Sequence, residues 1–425
     1  MTQTGSGRAD LPAIDAVAEW ARSGAMALTG PAAGPALGPP APLVPRLCDV
    51  ASRIAARSSA IGREVSLDPI ALLAQRAAIA GLRRRGDVSC GGGTRLLRCV
   101  DGWIAVSLAR GDDIDLVPAW LEVEIGDDAD PWHVVGDALR DRRRDDAVDR
   151  AALLGLPVSG LPDDVPTAAP STSTAELPCF ATRHGDAVAC GSIGFVRVVD
   201  LSALWAGPLC GSLLAMAGAD VVKVESTRRP DGARHGPAAF YDLLNASKRS
   251  VALDFTAPAG IATLQRLVAC ADVVIESSRP RALAQLGIDA GALVESDAAR
   301  PRVWLSITAH GRTGAAADRA GFGDDTAVAG GLVAWDGDIP LFCADAIADP
   351  CTGLVAAAAV LDALAAPGRW LLDVPLARVA AHLAGPTLLT AGNVEVASPR
   401  VPPPAPPAPA LGAHTAEVLD EWTAP

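Results

Sequence analysis

Asp349 is the residue of this chain best placed to do chemistry. It stands in the run Asp349-Pro350-Cys351-Thr352-Gly353, directly ahead of an Ala- and Leu-rich stretch. Asp followed by Pro is a strong helix-start signal. The carboxylate caps free backbone N–H groups and the proline ring is preset for the first turn, an effect of about 1 kcal/mol. The same N–H groups keep the carboxylate ionised, which suits a nucleophile that must be charged at neutral pH. Asp345, four residues earlier, is the nearest competitor. Asp49, in LCDVASRI, lacks the Thr-Gly that follows Asp349 and reads as structural.

Other reactive side chains are sparser. His310, in ITAHGRTG, is a single histidine and reads first as a satisfied structural residue. The basic pairs Arg228–Arg229, Lys248–Arg249 and Arg279 with Arg281 follow strand-like runs; any one of them alone reads as a solvated surface feature. Gly91, Gly92 and Gly93 form a turn that allows close backbone approach and offers unhindered N–H groups. The nine cysteines are scattered, without a C-x-x-C pair or a histidine at metal-ligand spacing, so they read as reduced thiols and no metal is expected. No G-x-G-x-x-G follows any strand, which argues against a dinucleotide oxidoreductase.

The elements that must position these residues alternate. FVRVVDL (195–201), an Ala- and Leu-rich helix from Pro208, DVVKVE (220–225), SVALDF (250–255), a helix over 257–269, DVVIES (272–277) and RVWLSIT (302–308) predict an open α/β sheet with helices on both faces. Composition divides the chain into a block of about 10–158, a linker over 159–189, a block of about 190–395 and a Pro- and Ala-rich tail, 396–425, with little capacity for a core. SGAMALTG leading to LCDVASRI, and AGGLVAWDG leading to IADPCTGL, form a faint internal repeat.

With 425 residues, half of them hydrophobic, the chain is large enough for two or three domains. Its 49 acidic against 36 basic residues give a net charge of −13, which disfavours nucleic acid and anionic lipid as partners; an anionic ligand would need a local cationic pocket. The opening MTQTGSGRADLP lacks the build of a signal peptide, and the longest clean apolar run, Leu354–Leu361, is short for a membrane span. A cytoplasmic protein without a membrane partner is expected.

VVDLSALWAGPLCGSLLAMAGADVVKVES, LLNASKRSVALDF, ADVVIESSRPRALAQLGID, WLSITAHGRTG and ADPCTGLVAAAAVLDAL, in that order and spacing, resemble the opening half of family III CoA-transferases, the carnitine and bile-acid type that includes formyl-CoA transferases and α-methylacyl-CoA racemases. GGGTRLLRCVDGWIAVSLAR (91–110) is similar to the glycine-rich turn and first strands of the family's small domain, but here it comes first, as if permuted or duplicated and trimmed. The resemblance implies an α/β fold: an open Rossmann-like CoA-binding domain plus a small mixed α/β domain. It implies that Asp349 carries an aspartyl-CoA thioester, with an acyl-CoA and a small carboxylic acid as substrates, no tightly bound cofactor, and a homodimer. It assigns CoA contacts to Leu204, Trp205, Ala206, Arg228, Asn245, Lys248, Arg249 and Arg279, and a covering role to Gly91, Gly92 and Gly93.

Some expected contacts differ. Ser277 and Ser278 stand where many members carry Asn and Phe, and Gln285 where Arg is common, so Trp205 becomes either a replacement surface for adenine or a core residue. The resemblance leaves two alternatives. In the racemases a His serves as base in a segment like RAGHD; this chain reads RAGFGDD, with Phe322 at that place and Asp324 and Asp325 as substitute bases. The permuted order also allows a non-catalytic acyl-CoA-binding protein.

Overall fold

The computed structural model describes residues 15–126, 128–164, 176–296, 300–389 and 394–423; the opening MTQTGSGRADLP and part of the expected linker, 165–175, lie outside the described residues. The N-terminal block starts with three helices whose ends follow local rules. Asp15 caps α1 (Ala16–Ser23) by accepting from the Val17 and Ala18 N–H groups, and Gly24 ends it at φ 89°. After α2 (Leu43–Ile61), Asp68 and Pro69 open α3 (Pro69–Ala80), which Gly81 ends at φ 66°.

A small antiparallel sheet follows, β1 (Thr94–Cys99), β2 (Gly102–Ser107) and β3 (Val158–Gly160). Between β2 and β3 run α4 (Gly111–Asp115), α5 (Val117–Leu121), α6 (Pro131–Arg140) and α7 (Arg144–Leu154). Ile104, Val106, Trp120 and Leu139 form their shared core.

The second block builds a seven-stranded sheet. Its members in chain order are β4 (Phe180–His184), β5 (Arg197–Asp200), β6 (Asp220–Ser226), β7 (Arg249–Leu253), β8 (Val273–Glu276) and β9 (Val303–Thr308). After a small hairpin, β10 (Ala334–Asp336) and β11 (Ile339–Leu341), comes β12 (Arg369–Pro375). The spatial order is β4-β12-β9-β8-β5-β6-β7, parallel except for β4, which runs antiparallel along β12 at the edge. The order reverses between β5 and β8, the place where sheets of this kind open a crevice at the carboxyl ends of their strands.

The connecting helices are α8 (Ala206–Ala217), α9 (Ala238–Asn245), α10 (Pro258–Cys270), α11 (Pro280–Gln285) and α12 (Ala290–Glu295), then α13 (Gly323–Ala329), α14 (Ala348–Ala365), α15 (Leu376–Leu383) and α16 (Thr415–Thr423). One apolar core joins α8, α14 and the N-terminal helices on one face of the sheet; another joins α10, α12 and α16 on the other. The expected mixed α/β architecture and its strand runs are present.

Two boundaries differ from expectation. Residues 180–184 of the expected linker form an edge strand, because β12 leaves a row of backbone groups to be paired. The tail also contributes to a core: α16 buries Val418 and Trp422 against the second apolar cluster.

α14 is the central helix, touching α2, α3, α8, α13, α15, β9 and β12. Such enclosure requires small side chains, which explains its alanines. Among the described residues it is the one helix long and apolar enough to cross a bilayer, and most of it is buried in this core. A Cβ on Gly353 would stand 2.8 Å from the Ala206 carbonyl oxygen of α8. Replacing Gly353 with Val is therefore expected to destabilise the protein by about 1–3 kcal/mol through overpacking, measured as a lower urea midpoint with an unchanged slope.

Candidate active site

The loop entering α14 carries unusual backbone. Ala344 and Ala346 adopt φ of 55° and 43°, a left-handed conformation that costs a non-glycine residue about 1–3 kcal/mol. Between them lies Asp345, 1% exposed, whose two oxygens accept from Arg76 Nε at 2.9 Å and Nη2 at 2.5 Å. Arg76 comes from α3, and its guanidinium lies 5.2 Å from the centroid of the Trp205 ring, which in turn meets Phe240 edge-on at 5.2 Å.

Asp349 is the second residue of α14, one place inside the helix rather than at its cap, because the helix begins at Ala348. Its carboxylate accepts from the Gly323 backbone N–H. A Cβ on Gly323 would lie 2.5 Å from Asp349 Oδ2 and 2.4 Å from the Ala346 carbonyl oxygen, so that position must be glycine for the approach to occur. Asp324, the next residue of α13, accepts from the Ala346 N–H at 3.0 Å. Asp325 is fully buried, accepting from Phe322 N at 2.7 Å, Ser159 Oγ at 3.2 Å and Ser107 Oγ at 3.3 Å.

Burial decides the ionisation of these acids. It raises Asp349 to about 7, against the opposing pull of the Arg76 charge and the Gly323 N–H. Burial likewise raises Asp324 to about 6 and Asp325 to about 7. The expectation of a carboxylate held fully ionised by its helix terminus is thus corrected: desolvation outweighs the local N–H groups, leaving Asp349 near neutrality, the range suited to a group that acts at physiological pH.

Asp349, Asp324, Arg76, Ser89, Gly91, Gly93, Leu204, Trp205, Phe240 and Phe322 are among the residues around one cleft of about 350 Å³, mostly apolar in its walls. Leu204 adopts φ 67° and its N–H donates to Asp231 at 3.0 Å, which holds the turn after β5 against this cleft. The glycine turn is closed by hydrogen bonds: Gly92 N donates to Ser89 O at 2.8 Å, with Gly92 at φ 81°. Gly91 and Gly93 therefore face the same space as Asp349.

A second depression, of about 190 Å³, adjoins through Phe322 and is bounded by Arg110, Ser277, Ser278, Arg279, Thr308 and Arg319. A third neighbour adds Arg229 and Arg281 to Arg110 and Arg279. Ser277 Oγ accepts from Ala203 N at 3.1 Å, tying the turns after β5 and β8 together at the reversal of strand order. This end is rich in arginine where the Asp349 end is apolar, although Arg110, Arg281 and Arg319 are paired with Asp113, Asp318 and Asp149.

Other expected contacts lie elsewhere. Lys248 is 3% exposed; its Nζ donates to Asp200 Oδ2 at 2.8 Å, Pro208 O at 2.8 Å and Asn245 Oδ1 at 3.0 Å, so its charge and the Asn245 amide are consumed inside the fold. Arg249 pairs with Asp220, Glu417 and Glu421, clamping α16 to the sheet edge. Arg228 pairs with Asp254 on the surface. Both basic groups thus fasten structure and do not line the clefts described. Trp205 is 4% exposed, a wall with no open face for adenine, and the Ala206 carbonyl faces Gly353. His310 is lowered by burial to about 4 and its Nε2 has no partner among the described residues.

Arg76 is the functional residue that the sequence reading missed. The signal was the one charged side chain of a helix that, apart from Gln75, is otherwise apolar, PIALLAQRAAIA.

Among known proteins, the model for CoA-transferase family III matches residues 195–416, just over half of the chain. A succinate–glutarate CoA-transferase of Agrobacterium fabrum is 36% identical over 186 residues, 40% of this chain and 46% of that protein. A succinyl-CoA–D-citramalate CoA-transferase of Chloroflexus aurantiacus is 36% identical over 150 residues, 33% of this chain and 37% of that protein. The chain thus spans less than half the length of these curated relatives. A CAIB/BAIF family protein from Brucella suis aligns at TM-score 0.39 with 32% identity over 44% of this chain and 53% of that chain.

Because the folded state holds the Asp325 proton more tightly than the unfolded chain, this residue makes stability fall as pH rises from about 3.8 through about 7. Asp325→Asn keeps the shape without the titration. Its melting temperature is expected to decline less than that of the parent between about pH 5 and 7, as measured by calorimetry at both values.

Proposed function

Because the chain belongs to CoA-transferase family III, we propose that it moves CoA between an acyl-CoA thioester and a carboxylate acceptor through an aspartyl-CoA thioester at Asp349. The observation that carries this reading is the buried carboxylate of Asp349, which lines an apolar cleft, accepts from the Gly323 N–H and is raised by burial to about 7. In the first step an Asp349 oxygen attacks the thioester carbonyl carbon, the C–S bond breaks and CoA leaves as thiolate, giving a mixed anhydride. The thiolate then attacks the aspartyl carbonyl, the anhydride C–O bond breaks and the first acid leaves as carboxylate. The acceptor acid reverses both steps, so no net proton is consumed.

The adjoining arginine-rich depression suits the other end of CoA. Arg279 and Arg229, which have no ion-pair partner among the described residues, are the guanidinium groups available to a pyrophosphate or 3′-phosphate there, whereas Arg110 is already paired with Asp113. Phe322 lines both this depression and the Asp349 cleft, which supports one extended ligand with its phosphates at the arginines and its thioester at the aspartate. CoA is substrate in this reading rather than resident cofactor. The Gly91–Gly93 turn would cover the aspartyl intermediate and exclude water. A cytoplasmic homodimer belongs to the same proposal and rests on the family likeness and the nine unpaired cysteines.

Asp324 lines the same cleft and supports a second reading, proton exchange at the acyl α carbon, with Asp349 as its partner. Incubation with a panel of acyl-CoAs, followed by hydroxylamine or borohydride trapping and peptide mapping, separates the two. The expected result is a label confined to Asp349 and absent from Asp349→Ala. Binding without a label, accompanied by deuterium incorporation at the α carbon, would instead establish the exchange reaction.

A further inference from the structure

The loop ahead of α14 is clamped from the N-terminal block at three points. The Ala344 N–H donates to Thr29 Oγ1 at 3.0 Å, the Cys90 thiol donates to the Ala344 carbonyl oxygen at 3.3 Å, and Arg76 grips both oxygens of Asp345. All three contacts come from outside the family-matched residues 195–416. They bracket Ala344 and Ala346, whose left-handed backbone would relax if nothing held it. Arg76 also borders the Asp349 cleft, its side chain 28% exposed, with Nη1 left over after the two bonds to Asp345.

We propose that Arg76 is a positioning residue of the site: by gripping Asp345 it locks the left-handed loop that aims Asp349, and by its charge it keeps Asp349 available as an anion. This rests on the proposed role of Asp349 as nucleophile. Two separable effects follow from the geometry. The first is mechanical, because Asp345 and Asp349 belong to one continuous turn and Ala346 also sets Asp324 through its N–H. The second is electrostatic. The charged groups acting on Asp349 are Arg76, which favours its anion, and Asp324 and Asp345, which oppose it; Asp325 is held apart by Ser107, Ser159 and Phe322 N, and the nearby Cys90, Cys343 and Cys351 thiols are all pushed up by burial and stay neutral. Among the described residues Arg76 is thus the one cation acting on Asp349, set against Asp324 and Asp345, and removing it disfavours the Asp349 anion.

The test uses the full chain with Arg76→Met, Arg76→Lys and the paired Arg76→Met/Asp345→Asn, reading carboxyl titration by NMR of aspartate-labelled protein alongside the pH dependence of acyl-CoA trapping. In Arg76→Met the Asp349 midpoint is expected to rise; a rise of one unit from about 7 leaves about fivefold less anion at pH 7. Arg76→Lys, which keeps the charge without the two-pronged grip, should restore the midpoint but not the full trapping rate. Should Arg76→Met fail to fold, the paired variant, which leaves no unpaired buried charge, is read against Asp345→Asn alone: the two differ only in the Arg76 charge, and the Asp349 midpoint is expected to be higher in the paired variant. An Asp349 midpoint that stays put in the folded variants, with wild-type trapping, overturns the proposal. Since the titration needs no turnover, a wild-type protein that traps nothing would count against the transferase reading alone, while the midpoint shift would still decide the role of Arg76.

Discussion

The structure is organised around a carboxylate buried at the start of a buried helix. α14 has neighbours on every side, so its residues must be small, and its first turn ends in the protein interior rather than in water. A helix terminus exposes unpaired N–H groups that attract an anion, yet the surrounding apolar walls penalise the same charge. At Asp349 burial prevails and raises the carboxyl to about 7, against the pull of the Arg76 charge and the Gly323 N–H. The alanines of α14, the glycine at 353, the glycine at 323 and the arginine from α3 are each explained by this one arrangement.

A second set of buried charges holds the opposite wall. Lys223 donates to the Ser202 carbonyl at 2.8 Å and pairs with Asp231 at 2.9 Å; Asp231 in turn holds the Leu204 N–H and accepts from Ala233 N. Lys248 and Asp200 form the adjoining pair, with Gly211 leaving room for them under α8. Burying lone lysines would be costly, but here each ammonium meets carboxylate and carbonyl oxygens in good geometry. The result is a turn after β5 fixed from beneath, so that Leu204 and Trp205 can wall the cleft without moving.

Much of this was legible in the sequence. β-branched runs ended within two residues of the observed strands, as at 302–308 against Val303–Thr308, because a strand buried on both faces leaves a continuous apolar run. The Asp-Pro pair marked the start of α14 to within two residues. What the chain could not reveal were quantities set by distant partners. Lys248 reads as a surface cation until Asp200 is found beneath it, and Arg249 until α16 brings Glu417 and Glu421. The acidity of Asp349 depends on walls contributed by Phe240 and Phe322, and no local pattern encodes that. α16 was missed because its two anchors, Val418 and Trp422, are too few to register as a core until the sheet edge meets them.

The order of the two blocks along the chain has a consequence for biogenesis. The contacts that fix the loop before α14 join residues 254, 269 and 315 positions apart. Contacts of such long range form late, since the loop between their ends must close first. On the ribosome the turn bearing Thr29 and the helix bearing Arg76 emerge long before Asp345 and Asp349, and Arg76 waits without its carboxylate partner. The surroundings of Asp349 are therefore assembled only when most of the chain is out, so a product truncated before the loop ahead of α14 leaves Thr29, Arg76 and Cys90 without the contacts that organise this carboxylate.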